Sequence, residues 1–242
     1  MQSILELTKI ATQSQTQPIN IYREYCQHIF LNYLYQHSNS DQFLFKGGTA
    51  LRIVYASPRY SEDLDFTILQ LSNRQIEDTV LFVLEQMRKI NLEVELLESK
   101  KTTGGYIGLF KVKVEDIVVN IEINGSKRVK NANKDLVLID NLFIPSYTLN
   151  ILSETDLIVE KFTATLTRSK PRDFFDIYFL LRKGIIKEDL RSQLGQLEKL
   201  LKDKDINFEK ELSMFLPQNI QGIARNFNKV FLQEISKYTR RK

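Results

Sequence analysis

The chain is poor in the residues from which several common active sites are built. Its 242 residues include one cysteine, Cys26, and two histidines, His28 and His37. A lone cysteine rules out an internal disulfide and any cysteine-based zinc cluster. Two histidines, both near the N-terminus and away from every carboxylate motif, are too few for a Ser-His-Asp hydrolase or a histidine-rich metal centre. No apolar run approaches the ~20 residues of a membrane span. The opening Met1-Gln2-Ser3-Ile4-Leu5-Glu6 lacks the basic start and apolar core of a signal peptide. The expectation is a cytoplasmic protein without a membrane partner. Excess charge of one sign is also missing. The net charge of +4 permits nucleic-acid binding without demanding it. What remains is ordinary for a folded soluble chain, 43% hydrophobic and 26% charged, long enough for one large domain or two small ones. Its chemistry falls to carboxylates, lysine and metal.

The informative stretch is Phe45–Phe66. Phe43-Leu44-Phe45 is a short apolar run with strand character, broken by Gly47-Gly48, after which Thr49–Tyr55 reads as a helix. A strand that turns through glycines into a helix N-terminus presents backbone N–H groups to an anion. Without Cβ atoms, Gly47 and Gly48 let that backbone approach a phosphate closely. Thr49 adds a hydroxyl, and Arg52, one turn on, a charged fork.

Asp63-Leu64-Asp65-Phe66-Thr67-Ile68 follows with the alternation of a half-buried strand. Residues two apart on a strand share a face, roughly 6.5–7 Å apart. Two carboxylates placed so can hold Mg²⁺, which takes oxygen ligands. Aspartates are poor strand formers, so a requirement other than β-propensity keeps them there. A phosphate-sized glycine turn close to a two-aspartate strand is the arrangement of phosphoryl or nucleotidyl transfer.

Lys46-Gly47-Gly48-Thr49-Ala50-Leu51-Arg52 followed by Ser61-Glu62-Asp63-Leu64-Asp65-Phe66 resembles the AbiEii/AbiGii-type nucleotidyltransferase toxins of bacterial toxin–antitoxin systems. Glu160-Lys161 and Lys170-Pro171-Arg172-Asp173-Phe174-Phe175-Asp176-Ile177-Tyr178 match that family's later motifs, in order. The resemblance spans residues 40–182, and nothing outside it is diagnostic. It implies a Mg²⁺-dependent enzyme that transfers a nucleotide from an NTP to RNA, often the 3′ end of tRNA, and that a cognate antitoxin counters. Asp63, Asp65, Lys161 and Asp173 would be catalytic. Gly47, Gly48, Thr49, Arg52 and Ser61 would bind the nucleotide. Transfer to protein or to a small molecule, and a non-catalytic nucleotide- or RNA-binding module, are the alternatives.

The expected fold is α+β: a nucleotidyltransferase-like mixed sheet with N-terminal helices at 3–13 and 20–36, and a C-terminal helical domain. The boundary is expected near residue 146, giving domains 1–145 and 146–242. A helix at 72–90 precedes strands at 91–97, 106–113 and 117–124, with Glu115-Asp116 as a hairpin turn. Helices are then expected at 149–167, 171–183, 187–203, 206–215 and 217–237.

Several residues admit two readings. Glu122 is either part of a solvated face or a third carboxylate for the metal. Lys161 falls within the apolar stripe of its helix, so it either snorkels or neutralises phosphate charge in a cleft between sheet and C-terminal helices. Asp173 is a first-turn acid favoured by the helix dipole, or an active-site group that fixes Lys161 or a base. Asp176 reads as the partner of an arginine, Arg172 being the nearest. Ser61 is a phosphate ligand, a modification site or a turn serine. Lys127–Lys130 with Lys134, and Arg168–Lys170, form either an RNA-binding rim or solvated loops. Tyr106 stacks on a base or belongs to the core. The basic tail from Lys237 to Lys242 is expected to be disordered, with nucleic-acid binding the alternative.

Overall fold

Phe43–Lys46 forms β1, and the chain turns directly from it into helix α3 at Gly47–Ile53. The computed structural model describes residues 2–127 and 132–239. Arg128 and Lys130 of the expected basic rim, and Arg240–Lys242 of the tail, lie outside the described residues. The chain divides into two units. One comprises residues up to Ala56 together with Tyr60–Ser153; the other comprises Ser57–Arg59 and the residues from Glu154 onward.

In the first unit, α1 (Ile4–Gln13) begins at Ser3, whose side chain forms a capping box with Glu6. Pro18 starts α2 (Pro18–Leu34), where its missing N–H costs nothing. After α3 come β2 (Leu64–Ile68), α4 (Asn73–Lys89, capped by Ser72 with Gln75), β3 (Glu93–Thr102), β4 (Gly105–Val114), β5 (Ile117–Lys127), β6 (Lys134–Ile139) and β7 (Tyr147–Leu152). The seven strands form one mixed sheet in the order β3-β4-β5-β2-β1-β7-β6. β1 runs antiparallel to β2 and parallel to β7, and β2 runs parallel to β5. α2 and α4 pack on this sheet, and aromatic contacts such as Phe30 stacked on Phe110 tie helix to strand.

β7 corrects the expectation of a helix from residue 149. Tyr147-Thr148-Leu149-Asn150-Ile151-Leu152 alternates with period two and pairs with both β1 and β6. Sheet pairing overrides the helical tendency there, and the helix starts only at Glu154.

The second unit is helical: α5 (Glu154–Arg168), α6 (Pro171–Lys183), α7 (Glu188–Arg191), α8 (Leu194–Asp203), α9 (Phe208–Leu212), α10 (Gly222–Arg225) and α11 (Phe227–Thr239). The expected helix at 187–203 is thus two, and that at 217–237 is a short 3₁₀ turn at Gln218–Ile220 followed by two more. α6 ends at Gly184, whose φ of 75° closes the helix in the left-handed conformation. The core of this unit is aromatic: Phe174, Phe175, Tyr178, Phe208, Phe227 and Phe231 meet with ring centroids 4.7–6.2 Å apart.

Candidate active site

Register brings the glycine turn and the acidic strand together. β1 and β2 pair so that Lys46 lies directly opposite Asp65. The next residue, Gly47, has φ +84°, and a Cβ built on it would stand 2.1 Å from Oδ2 of Asp65. Glycine is therefore required twice, for its left-handed conformation and for the carboxylate packed against it. On the other side of β2, Asp65 faces Asn124 of β5, so Lys46, Asp65 and Asn124 share one face of the sheet. Glu122, two residues before Asn124, lies on that face as well, displaced towards Asp63. Asp63 and Asp65 are both half-buried, within reach of solvent.

Thr49 and Arg52 do not present themselves as free phosphate ligands. Thr49 is fully buried, and its hydroxyl donates to the carbonyl of Asp63, fastening helix α3 to the start of β2. Nε of Arg52 donates to Glu24 at 2.7 Å, and its guanidinium lies over the ring of Tyr60, 4.0 Å from the centroid. With Glu24, His28 and Asn141 it lines a cavity of about 240 Å³. Both positions read as ligands in sequence because nothing there reveals the neighbouring carbonyl or glutamate.

Some contributors were not visible as such in sequence. Gln27 of α2 donates from Nε2 to the carbonyls of Ser61 and Glu62, at 3.1 and 2.9 Å. One turn earlier, Arg23 pairs with Glu62 at 3.2 Å. The segment leading to Asp63 is thus held from α2 through the backbone of Ser61. α2 also carries a buried polar row, Asn20, Glu24, Gln27 and His28. His28 accepts from or donates to the hydroxyl of Tyr147 at 2.9 Å. Burial, reinforced by the Arg52 charge, pushes its pKa down to about 3. Lys46 reaches across the face, Nζ donating to Ser126 of β5 at 2.7 Å. The only sequence hint of these roles is polarity within otherwise apolar stripes. Tyr106 is a core tyrosine, 3% exposed, with its hydroxyl 3.1 Å from that of Ser99.

The donor set suits a hard cation. Asp63 and Asp65 offer carboxylate oxygens. Among the described residues no group of three or more His, Cys, Asp or Glu is gathered into a metal-binding cluster, Glu122 included. Mg²⁺ does not need such a cage: one or two carboxylates, water and substrate phosphates are its usual shell.

The second unit holds its own charged centre. Asp176 is 1% exposed. It accepts from Nε and Nη2 of Arg59 at 2.8–3.0 Å and from Nζ of Lys161 at 2.8 Å. Burial would raise its carboxyl, but the two cations outweigh burial and hold it below the ordinary value. This revises two sequence readings. The partner of Lys161 is Asp176, not Asp173, because the two sit on α5 and α6 facing each other. The arginine on Asp176 is Arg59, four residues before Asp63 in the chain, while Arg172 pairs with Glu211 at 3.4 Å. Asp173 is 2% exposed and receives Arg168 Nη2 at 2.8 Å on Oδ1, while its Oδ2 has no hydrogen-bond partner among the described residues.

A profile of the AbiEii nucleotidyltransferase toxins of type IV toxin–antitoxin systems matches residues 29–234, which include both acids, the glycine turn and the buried triad. The chain belongs to the AbiEii family. It is therefore a nucleotidyltransferase of the toxin–antitoxin type, for which the family implies an antitoxin partner. The fold agrees with two crystal structures from Helicobacter pylori, each 20% identical in sequence. JHP933 aligns with a TM-score of 0.62 over 93% of this chain and 95% of its own. A protein described as a candidate nucleotidyltransferase aligns with a TM-score of 0.60 over 92% and 97%. No curated protein sequence matches. None of the described helices is long and apolar enough to cross a membrane.

Proposed function

We propose that this AbiEii enzyme transfers a nucleoside monophosphate from an NTP to tRNA, at its 3′ acceptor end, in a Mg²⁺-dependent reaction. The observation that carries the reading is the packing of the Asp65 carboxylate against Gly47. It sets a group suited to a cation beside a backbone turn suited to a phosphate. Asp63 and Asp65 would hold the ion, and Gly47 and Gly48 would receive the phosphates. Once bound, the ion would neutralise phosphate charge and polarise the α-phosphorus.

The acceptor hydroxyl attacks the α-phosphorus in line, a new P–O bond forms, and the bond to the β-phosphate breaks with loss of pyrophosphate. Glu122 is the carboxylate on the face of Asp65 suited to take the hydroxyl proton. Lys46 places positive charge on the same face. Lys161, held by Asp176, and Asp173, whose Oδ2 has no hydrogen-bond partner among the described residues, are assigned as catalytic residues by their match to the family's later motifs. Ser61 contributes through its backbone to the position of Asp63, and its hydroxyl is assigned no separate role.

Expression in bacteria tests the biological half of this reading. The wild-type chain should arrest growth and leave tRNAs with extra 3′ nucleotides, and Asp65→Ala should do neither. Arrest with unaltered tRNA ends would move the acceptor to protein or a small molecule.

A further inference from the structure

The two edges of the sheet are finished differently. β3, at one edge, carries Glu93, Glu95, Glu98, Lys100 and Lys101, and its pairing is broken by a bulge between Leu96 and Glu98. Charges and bulges are how soluble proteins prevent another strand from adding to an edge. β6, at the opposite edge, has no bulge, and its two charged residues, Lys134 and Asp135, sit together at its start. It pairs with β7 in unbroken register, and no strand among the described residues covers its outer side. Leu136 and Leu138 share one face of it and are 71% and 67% exposed. Lys134 and Asp140, both exposed, flank them at the same spacing of two.

We propose that β6 is a homodimerisation edge, at which a second copy of this chain adds its own β6 antiparallel about a two-fold axis through Val137. In that register residue pairs are fixed by symmetry. Leu136 of each copy opposes Leu138 of the other, gathering four leucines into one patch. Lys134 of each copy opposes Asp140 of the other, so both ends of the added ladder carry an opposite-charge pair. On the face that carries the leucines the edge is complementary to itself in apolar pattern and in charge, and its backbone can continue the ladder. An isologous contact of this kind closes at two copies and leaves the charged β3 edges outward. The inference does not depend on the substrate or on the chemistry of the site.

Sedimentation velocity across the micromolar range tests it. The wild-type chain should shift with concentration from 28.3 kDa towards twice that mass. Lys134→Asp faces an acid with an acid, and Asp140→Lys faces a lysine with a lysine. Each variant alone should dimerise about tenfold more weakly. An equimolar mixture of the two restores both pairs and should dimerise as the wild type does. Both positions are exposed, and circular dichroism verifies that the variants are folded. A wild-type chain that stays at 28.3 kDa throughout overturns the proposal and leaves the edge to a different protein. Dimerisation that neither single variant weakens overturns it too, by placing the interface elsewhere.

Discussion

Replacing Asp176 by asparagine should unfold the second unit far more readily than any change at its two partners. The carboxylate is 1% exposed, and the side chains of Arg59 and Lys161 are 3% and 9% exposed. Asn keeps the shape but leaves two buried cations facing a neutral amide. Removing one partner of a buried ion pair costs about 3–5 kcal/mol, and here one carboxylate serves two cations. For a chain of this size 1 kcal/mol moves Tm by about 2–4 °C, so the variant should melt roughly 6–20 °C below wild type. Lys161→Met is the control, because it removes one cation and leaves the Arg59–Asp176 pair intact; its loss should be smaller. pH provides a second axis. The folded pKa of Asp176 lies below its unfolded value, so the triad's contribution is complete above about pH 3.8 and is lost as pH falls through the lower folded value. The gap between wild type and Asp176→Asn in urea unfolding should therefore be constant at neutral pH and narrow only below pH 3.8. An Asp176→Asn protein that melts within a degree or two of wild type would refute the triad as a structural element.

Gly47→Ala should lower nucleotide transfer by about a hundredfold with the helical content unchanged, because the new methyl group displaces the Asp65 carboxylate; transfer rate and circular dichroism together check this. Gln27→Leu leaves the carbonyls of Ser61 and Glu62 without their donor. It should cost about 1–2 kcal/mol in urea unfolding, with transfer reduced about tenfold. His28 stays neutral when folded but is protonated in the unfolded chain below the ordinary imidazole value of 6.5. Stability should therefore fall as pH drops from 6.5 towards 3, by about 2 kcal/mol at pH 5, and His28→Asn should flatten that slope in pH-dependent urea titrations.

Legibility from sequence followed the range of the interaction. Features set by near neighbours are readable: the glycine turn, the Asp-x-Asp alternation, the Pro171 helix start and the α4–β5 succession all match the structure. β7 is not, since Tyr147–Leu152 becomes a strand only because β1 and β6 lie alongside to pair with it. The C-terminal helices are shorter than their sequence pattern suggests for a related reason: several short helices tile an aromatic core, and a helical period does not show where one stops. At the site, the face shared by Asp65, Asn124 and Lys46 depends on register between β1, β2 and β5, which no single segment encodes. Thr49 and Arg52 carried the right chemistry for phosphate, but a distant carbonyl and Glu24 engage them first. The Arg59–Asp176 bond joins residues 117 positions apart, so only the Asp176 half of it could be suspected.

The most direct test of the central claim is incubation of the purified chain and tRNA with each α-labelled NTP in turn, with Mg²⁺, using Asp65→Ala as the comparison. The account predicts label on the 3′ end of tRNA from a preferred NTP, absent with the variant and without the cation. Label of equal intensity from Asp65→Ala would contradict it, because the carboxylate against Gly47 would then take no part in transfer.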